Sequence, residues 1–394
     1  MLRKAASDAI GITQQPLSRD YGEVLNFLPH WSDHVRALRW RRDCVVGHSR
    51  RMARSPQKRA DTNAEPPAWI KPQLCQLVKE APNGQDWAHE LKFDGYRIHA
   101  RIDRTNVRLL TRTGLDWTEK YPTLAAALRT LSVRQAYLDG ELCGVRPDGV
   151  TSFALIQNAA DRRGGSDLVY FVFDQLYIDR QDLMPLPLSS RKARLAALLG
   201  RRADAIRYSD HQIGQGQAFH RHACQLGLEG IVSKRLDAGY SPGQRGLWLK
   251  TKCLNREEFV VVGWTDPEGS RPFIGALLLG YYRPDGRLVY AGRVGSGMRA
   301  DQLADLWKRL LPLQTDKMLL DAAPPRATRF GSPLVLSRVH WVRPELVVEV
   351  TYLTWTDDGL LRQVVYEGLR EDKPARDVTR PIAATETVAA GRKL

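Results

Sequence analysis

The stretch "HELKFDGYRIHARID", from His89 to Asp103, holds an amine where an ordinary strand has no use for one. Lys92 stands between apolar neighbours, Asp94 follows two residues on, and Arg97 comes five residues after the lysine. A lysine attacks phosphorus only as the neutral amine, so a nucleophilic lysine needs burial or nearby cations that disfavour its charge. Lys92, read as part of an apolar strand, meets that condition. Gly95 is expected to let the backbone approach a ligand, with Asp94 and Arg97 turned to different sides of the strand end.

Further along the chain come "TRTG" (Thr111 to Gly114), "DGEL" (Asp139 to Leu142), "FVFD" (Phe171 to Asp174), "EGIVSK" (Glu229 to Lys234), "WLKTK" (Trp248 to Lys252) and "GLREDK" (Gly368 to Lys373). Together they supply a nucleophile, carboxylates for a divalent cation, an aromatic face for a base and several cations for a triphosphate. Those are the parts that nucleotidyl transfer requires, because charge develops on phosphate oxygens and must meet fixed cations and metal.

The elements that must hold these residues fall into two patterns. From Trp69 to Cys253 short apolar runs alternate with helical patterns, which predicts a mixed sheet covered by helices. "VYFVFDQLYI" (Val169 to Ile178) is a nearly continuous apolar run and so a buried strand. "SSRKARLAALLG" reads as a helix with Ser caps, apolar Leu195, Leu198 and Leu199, and a stop at Gly200. After Cys253, "EEFVVVGW", "IGALLLGYY" and "RLVYAGRVG" read as strands, the last two joined by the tight turn "RPDGR". One helix interrupts them, with Leu303, Leu306, Trp307, Leu310 and Leu311 at helical spacing, before "ELVVEVTYLTW" resumes strand. Five or so strands with one helix predict a small barrel of the oligonucleotide-binding (OB) kind.

Composition narrows the setting. The chain has 394 residues, 59 Lys and Arg against 44 Asp and Glu, and a net charge of +15, which suits a polyanionic partner. No run reaches the roughly 18 apolar residues of a membrane span, and the N-terminus lacks a secretory pattern, so a soluble, unsecreted protein is expected. Residues 1–65 carry 12 Lys and Arg against 7 Asp and Glu without a helical or strand period, and read as a flexible basic arm. The five cysteines (Cys44, Cys75, Cys143, Cys224, Cys253) are odd in number and widely spaced, which argues against a disulfide framework and for a reduced compartment. The nearest approach to a metal cluster is "HRHAC" (His220, His222, Cys224), and that segment reads instead as a helix with polar residues facing water.

At residues 66–380 the chain resembles the ATP-dependent DNA ligases of the covalent nucleotidyltransferase superfamily, most nearly the ligase module of bacterial LigD-type end-joining ligases. "WAHELKFDGYR", "EGIVSK", "WLKTK" and "GLREDK" carry the resemblance, in the expected order and spacing. It implies an α+β architecture: an adenylation (nucleotidyltransferase) domain of antiparallel sheets and helices over 66–253, a C-terminal OB-fold barrel over 254–380, and a tail over 381–394. It also implies roles. Lys92 would form a phosphoramide with AMP, Glu90 would contact the adenine amino group, and Phe173 would stack on the base. Arg97 and Glu141 would hold the ribose or adjoining phosphate, Arg112 the sugar or the DNA 5′-phosphate, and Glu229 the metal. Lys250 and Lys252 would bind the α-phosphate, while Arg370, Asp372 and Lys373 would orient the pyrophosphate. Departures are Gly246 after Arg245 where relatives have Ser, "VGSGM", and the lack of His-Pro after Arg362.

The resemblance implies a stand-alone, monomeric ligase in the bacterial cytoplasm, with the nucleoid as its place of work. It would use ATP and Mg or Mn to seal 5′-phosphate/3′-hydroxyl nicks or breaks in duplex DNA, in repair or end joining. Recruitment by a Ku-like end-binding protein stays open. So do two other readings of the residues: an RNA ligase or capping-type nucleotidyltransferase, and a DNA-binding protein with a decayed site.

Overall fold

The run from His89 to Asp103 folds as two strands in two different sheets, not as one. Trp87–Leu91 belongs to one sheet and Tyr96–Asp103 to another, so Lys92 to Gly95 is the crossing between them. Lys92 is therefore just past a strand, its amide donating to the Gly230 carbonyl at 2.9 Å. The need for glycine at 95 is set by a neighbouring strand rather than by a ligand: a Cβ there would lie 2.1 Å from the Leu142 carbonyl oxygen. Asp94 and Arg97 do diverge. Asp94 accepts from the Phe153 amide at 2.8 Å, and Arg97 grips Asp139 through Nε at 2.9 Å and Nη2 at 2.6 Å.

A computed structural model describes residues 65–147, 149–161, 168–200, 205–267, 270–325 and 334–380. Every element named below lies in one compact unit, residues 60–146 with 151–394. Apart from Glu65, the basic arm expected over 1–65 lies outside the described residues, as does the tail over 381–394.

The first sheet runs Cys75–Leu77, Trp248–Lys252, Gly230–Arg235, Trp87–Leu91, Gln212–Ile213, antiparallel except for its first pair. The second is built on Asn106–Thr111, Tyr96–Asp103, Gln135–Val145 and Leu168–Ile178, in that order and antiparallel. Tyr137 and Leu176 from the second sheet pack with Trp248 of the first in a shared apolar cluster, so the sheets meet face to face along one edge of the site. The helix Leu188–Leu199 covers the second sheet through Leu195 and Leu199. Its N-cap is Pro187 with no side-chain hydrogen bond, so the expected Ser caps are absent; Gly200 does close it, at φ 59°.

After Cys253 come the expected strands: Arg256–Thr265, Ala276–Tyr282, Leu288–Val294, Val347–Thr351 and Val365–Leu369, joined as one antiparallel sheet. "RPDGR" makes the tight turn, with the Arg283 amide donating to the Arg287 carbonyl at 2.9 Å. Phe259, Val261, Leu277, Leu279, Val348 and Val350 line a separate apolar core, which the helix Ala300–Leu310 closes with Leu303, Leu306 and Leu310. Leu311, counted on that face from its spacing, is exposed, because the helix ends and a 3-10 turn begins there. The fold is that of an α+β nucleotidyltransferase followed by an OB-fold domain.

The cysteines depart from expectation. Cys224, on the helix Gly216–Gln225, is bonded to Cys253, the residue after the Trp248–Lys252 strand. A separation of 29 residues hid the pair, since only the return of the chain through two strands brings them together. No helix among the described residues is long and apolar enough to cross a membrane.

Candidate active site

Strand register gathers Glu90, Lys92, Lys250 and Lys252 along one face of the first sheet. Lys250 lies opposite Val232, which lies opposite Glu90; Lys252 lies opposite Gly230, next to Lys92. Period two along Trp248–Lys252 then puts Trp248, Lys250 and Lys252 on that same face.

Lys92 hydrogen-bonds through Nζ to Glu229 Oε1. Burial works against its ammonium, but the Glu229 carboxylate, helped by Glu141 and Glu349, holds the pKa above that of an ordinary lysine. The expectation of a lysine whose surroundings disfavour charge is thus wrong for this state, because a carboxylate 137 residues away in sequence folds onto it. Burial pushes Glu229 up, and Lys92, Arg256 and Lys252 more than reverse it. Glu141 has no such balance: burial, with Glu229 adding to it, lifts its carboxyl to about 8 despite Lys92, Arg370 and Arg97. Lys250 is the amine pushed down, to about 8, by burial and by the charges of Lys252 and Lys92. Lys250 is thus an ammonium short of counter-charge, which a phosphate would relieve.

Glu90 is buried and accepts three hydrogen bonds: Lys192 Nζ at 2.7 Å, Lys234 Nζ at 2.9 Å and Ser209 Oγ at 3.0 Å. Burial raises its pKa, but the two ammonium groups bring it below the usual value. Lys192 was not among the residues singled out, although it precedes Leu195 by three and Leu199 by seven, on the buried face of its helix. Lys234 closes "EGIVSK" and was passed over too; its Nζ lies 4.1 Å from the Phe173 ring centroid and 4.3 Å from that of Trp248. Phe173, partly buried, meets Trp248 edge to face at 5.9 Å. Arg97 is a buttress as well as a cation: beyond Asp139 it donates to the Gln73 carbonyl at 2.7 Å, with its guanidinium 5.5 Å from the Phe173 ring.

The remaining residues lie against the barrel. Lys252 donates to Glu257 at 2.6 Å and to the Arg256 carbonyl. Arg256 spans the two parts, to Asp94 at 2.6 Å and Glu349 at 3.1 Å. Arg370 is held by Asp372 at 2.9 Å through both Nε and Nη2, with Glu349 at 3.4 Å, and its guanidinium lies 5.7 Å from the Tyr96 ring and 5.0 Å from Phe153. Lys373 pairs with Glu258, whose carboxyl is held well below its usual range by Lys373, Arg370 and Arg112 against the effect of burial. Half-buried Arg112 follows the Asn106–Thr111 strand. Gly368 has a packing reason, since a Cβ would meet Gln157 Oε1 at 2.2 Å, where Gln157 donates to the Leu369 carbonyl.

A lysine ion-paired to a carboxylate, a second carboxylate beside it and an under-compensated lysine two strands away are groups that a nucleotidyltransferase site needs. The family model for the ATP dependent DNA ligase domain matches residues 72–252, and that for the ATP dependent DNA ligase C terminal region matches 270–373. The chain belongs to the ATP-dependent DNA ligases. It is 45% identical over 338 residues to the multifunctional non-homologous end joining protein LigD of Pseudomonas aeruginosa, covering 84% of this chain and 39% of that protein. To the LigD of Mycobacterium tuberculosis it is 37% identical over 298 residues, 75% of this chain and 37% of that protein. The chain thus spans about two-fifths of the length of these relatives. Among solved structures, a mycobacterial DNA ligase D complexed with ATP and MES matches with a TM-score of 0.58 at 34% identity, over 79% of this chain and 98% of that one.

Proposed function

We propose that this chain seals 5′-phosphate/3′-hydroxyl nicks in duplex DNA through a lysyl-AMP intermediate on Lys92, with ATP and a divalent cation, in the repair or end joining of breaks. The observation that carries the reading is the convergence of Lys92, Glu229, Glu141 and Lys250 at the rim between two sheets.

In the first step the neutral Lys92 Nζ attacks the α-phosphorus of ATP, a P–N bond forms, and pyrophosphate leaves. Lys250 and Lys252, two strands away across the sheet, hold the α-phosphate, Lys252 leaving Glu257 to do so. The base lies against Phe173, and Glu90, with three of its roughly four acceptor sites filled, keeps one for the adenine amino group. Guanine offers a carbonyl there, so the site takes ATP. Arg370 and Lys373 exchange Asp372 and Glu258 for the pyrophosphate, and Arg112 meets the sugar or the DNA end. AMP then passes to the DNA 5′-phosphate, and the 3′-hydroxyl displaces it.

The buried pair Glu229 and Glu141 suits a hard divalent cation such as Mg or Mn, being all-oxygen and, at Glu141, short of positive charge. Held by these two carboxylates, a divalent cation would supply charge that stabilises the phosphates, and Glu229 would then release Lys92. The +15 chain offers phosphate contacts that carry no sequence information, consistent with any duplex end as substrate. A Ku-like recruiter, monomeric action and a place at the nucleoid belong to this proposal.

Sealing of a nicked duplex tests it. ATP with Mg or Mn should join the strands and GTP or NAD should not. Efficient use of GTP would move the reading to a capping-type enzyme, preference for nicked RNA to an RNA ligase, and DNA binding without joining to a decayed site.

A further inference from the structure

The Cys224–Cys253 bond has a third partner. His220 and Cys224 sit four residues apart on the helix Gly216–Gln225 and so share one face, with His220 Nε2 3.4 Å from Cys224 Sγ. Cys253 arrives from the end of the Trp248–Lys252 strand, and one ligand atom from each of the three residues lies within 4.8 Å of the others. We propose that, once the disulfide is reduced, His220, Cys224 and Cys253 form a binding site for a thiophilic divalent cation of the zinc class.

The donor set makes the selection. Two thiolates and one imidazole are soft to borderline ligands that favour zinc-like ions over Mg or Mn. Their two negative charges neutralise a divalent ion, so the half-buried site acquires no net charge. With metal–sulfur bonds of about 2.3 Å and metal–nitrogen bonds of about 2.0–2.1 Å, a tetrahedral site has nitrogen–sulfur edges of about 3.5 Å and a sulfur–sulfur edge of about 3.8 Å. The His220–Cys224 edge already has that length, the two sulfurs must part, and the His220–Cys253 edge lies within 4.8 Å. All three residues are half-buried, so water can supply the fourth ligand. Phe219, Ala223, Leu228 and Ile231 pack beside Cys253 and give the site an apolar flank.

One polar contact must be given up: His220 Nε2 donates to the Lys252 carbonyl oxygen at 3.2 Å, and the ion would take the place of that proton. Cys253 Sγ is 3.9 Å from the His220 carbonyl. Coordination needs the lone pair of Nε2, with the imidazole proton on Nδ1. The Cys253 amide donates to the Glu229 carbonyl at 2.9 Å, so the ion would fasten the helix to the segment that follows Lys252 and leads into the barrel. A disulfide makes that link under oxidising conditions, and the metal would make it under reducing ones.

The chemistry balances. A trialkylphosphine and water convert the disulfide to two thiols and phosphine oxide; the divalent ion then displaces the two thiol protons. The full-length chain, reduced in this way, stripped with chelator and titrated with Co(II) without oxygen, should bind one cobalt through thiolates, distinct from any held by the Glu229 and Glu141 carboxylates, which give no thiolate band. Thiolate-to-cobalt charge-transfer absorption and the visible bands of tetrahedral cobalt should appear together, and Zn(II) should bleach both. The unreduced chain should show neither. Cys224→Ser and Cys253→Ser should abolish the charge-transfer band, His220→Ala should shift the visible bands, and Cys75→Ser and Cys143→Ser should change nothing. Adenylation by ATP reports whether each variant is folded. Should the two serine variants fail to fold, cobalt must shield Cys224 and Cys253 of the reduced parent from alkylation, read by peptide mass. A reduced parent without the band, a band that survives in both folded serine variants, or cysteines alkylated equally with and without cobalt overturns the site. None of these results bears on nick sealing, which uses Lys92.

Discussion

Two lysines of one sheet face carry opposite electrostatic marks, and that difference is measurable. Lys92 is held protonated by Glu229, so the fraction able to attack phosphorus grows with pH, about tenfold per unit while pH stays below its raised pKa. Lys250, lowered to about 8, loses its charge above that pH and with it part of the grip on the triphosphate. In single-turnover adenylation, kcat should therefore climb through the neutral and alkaline range, while the climb of kcat/KM flattens above pH 8. Lys250→Arg, which stays charged, should remove the flattening. A flattening that persists in that variant would show that another group titrates there. The candidate nucleophile is proposed from K-x-D-G-x-R, and the phosphate role of Lys250 and Lys252 in "WLKTK" from the resemblance. The protonation of Lys92 was not legible, because its partner comes from another strand, 137 residues on. The roles of Glu90 and Phe173 follow from resemblance, and the structure adds the ring of donors around Glu90 that composition could never suggest.

Elements bring that ring together: Glu90 comes from one strand, Lys234 from the next, and Lys192 from the helix Leu188–Leu199. Two buried ammoniums share one carboxylate, so the pair of single changes should be unequal. Glu90→Gln leaves two buried cations without their counter-charge and should cost about 3–5 kcal/mol. Lys192→Met keeps an apolar body on the buried helix face and leaves Glu90 bonded to Lys234 and Ser209, for a loss of about 1–2 kcal/mol. Urea midpoints of the two variants check this, and equal losses would mean that Glu90 is not the centre of the network. Spacing revealed the helix and the strand Val169–Ile178 well. It mistook the ends, because Ser189 and Ser190 lie inside the helix and Leu311 lies beyond the helix Ala300–Leu310. It also read His89 to Asp103 as one strand, since alternation continues across the crossing at Lys92 to Gly95 even though the sheet changes.

In the molecule as a whole, the nucleotidyltransferase part and the barrel are tied by Arg256 to Asp94, Gln157 to the Leu369 carbonyl and Lys120 to Glu371 at 2.9 Å. These ties hold "GLREDK" against Tyr96 and Phe153, near the group that includes Lys92 and Glu141. The pyrophosphate departs in the first step alone, so Arg370→Ala and Lys373→Ala should slow adenylation by ATP by about 100-fold or more and spare the sealing of a nick supplied already adenylated. Equal damage to both steps would assign these residues to DNA or to folding. The two-part plan was legible from the change of pattern after Cys253, whereas the docking of the two parts rests on pairs such as Asp94 with Arg256, separated by 162 residues. On the proposed function, both parts serve one covalent species on Lys92. Its direct measurement is incubation with α-labelled ATP and a divalent cation, acid denaturation, and mapping of the label by peptide mass. AMP on the Lys92 peptide, absent in Lys92→Ala and not restored by Lys92→Arg, is the predicted result; label on Lys250, or undiminished label in Lys92→Ala, would contradict it.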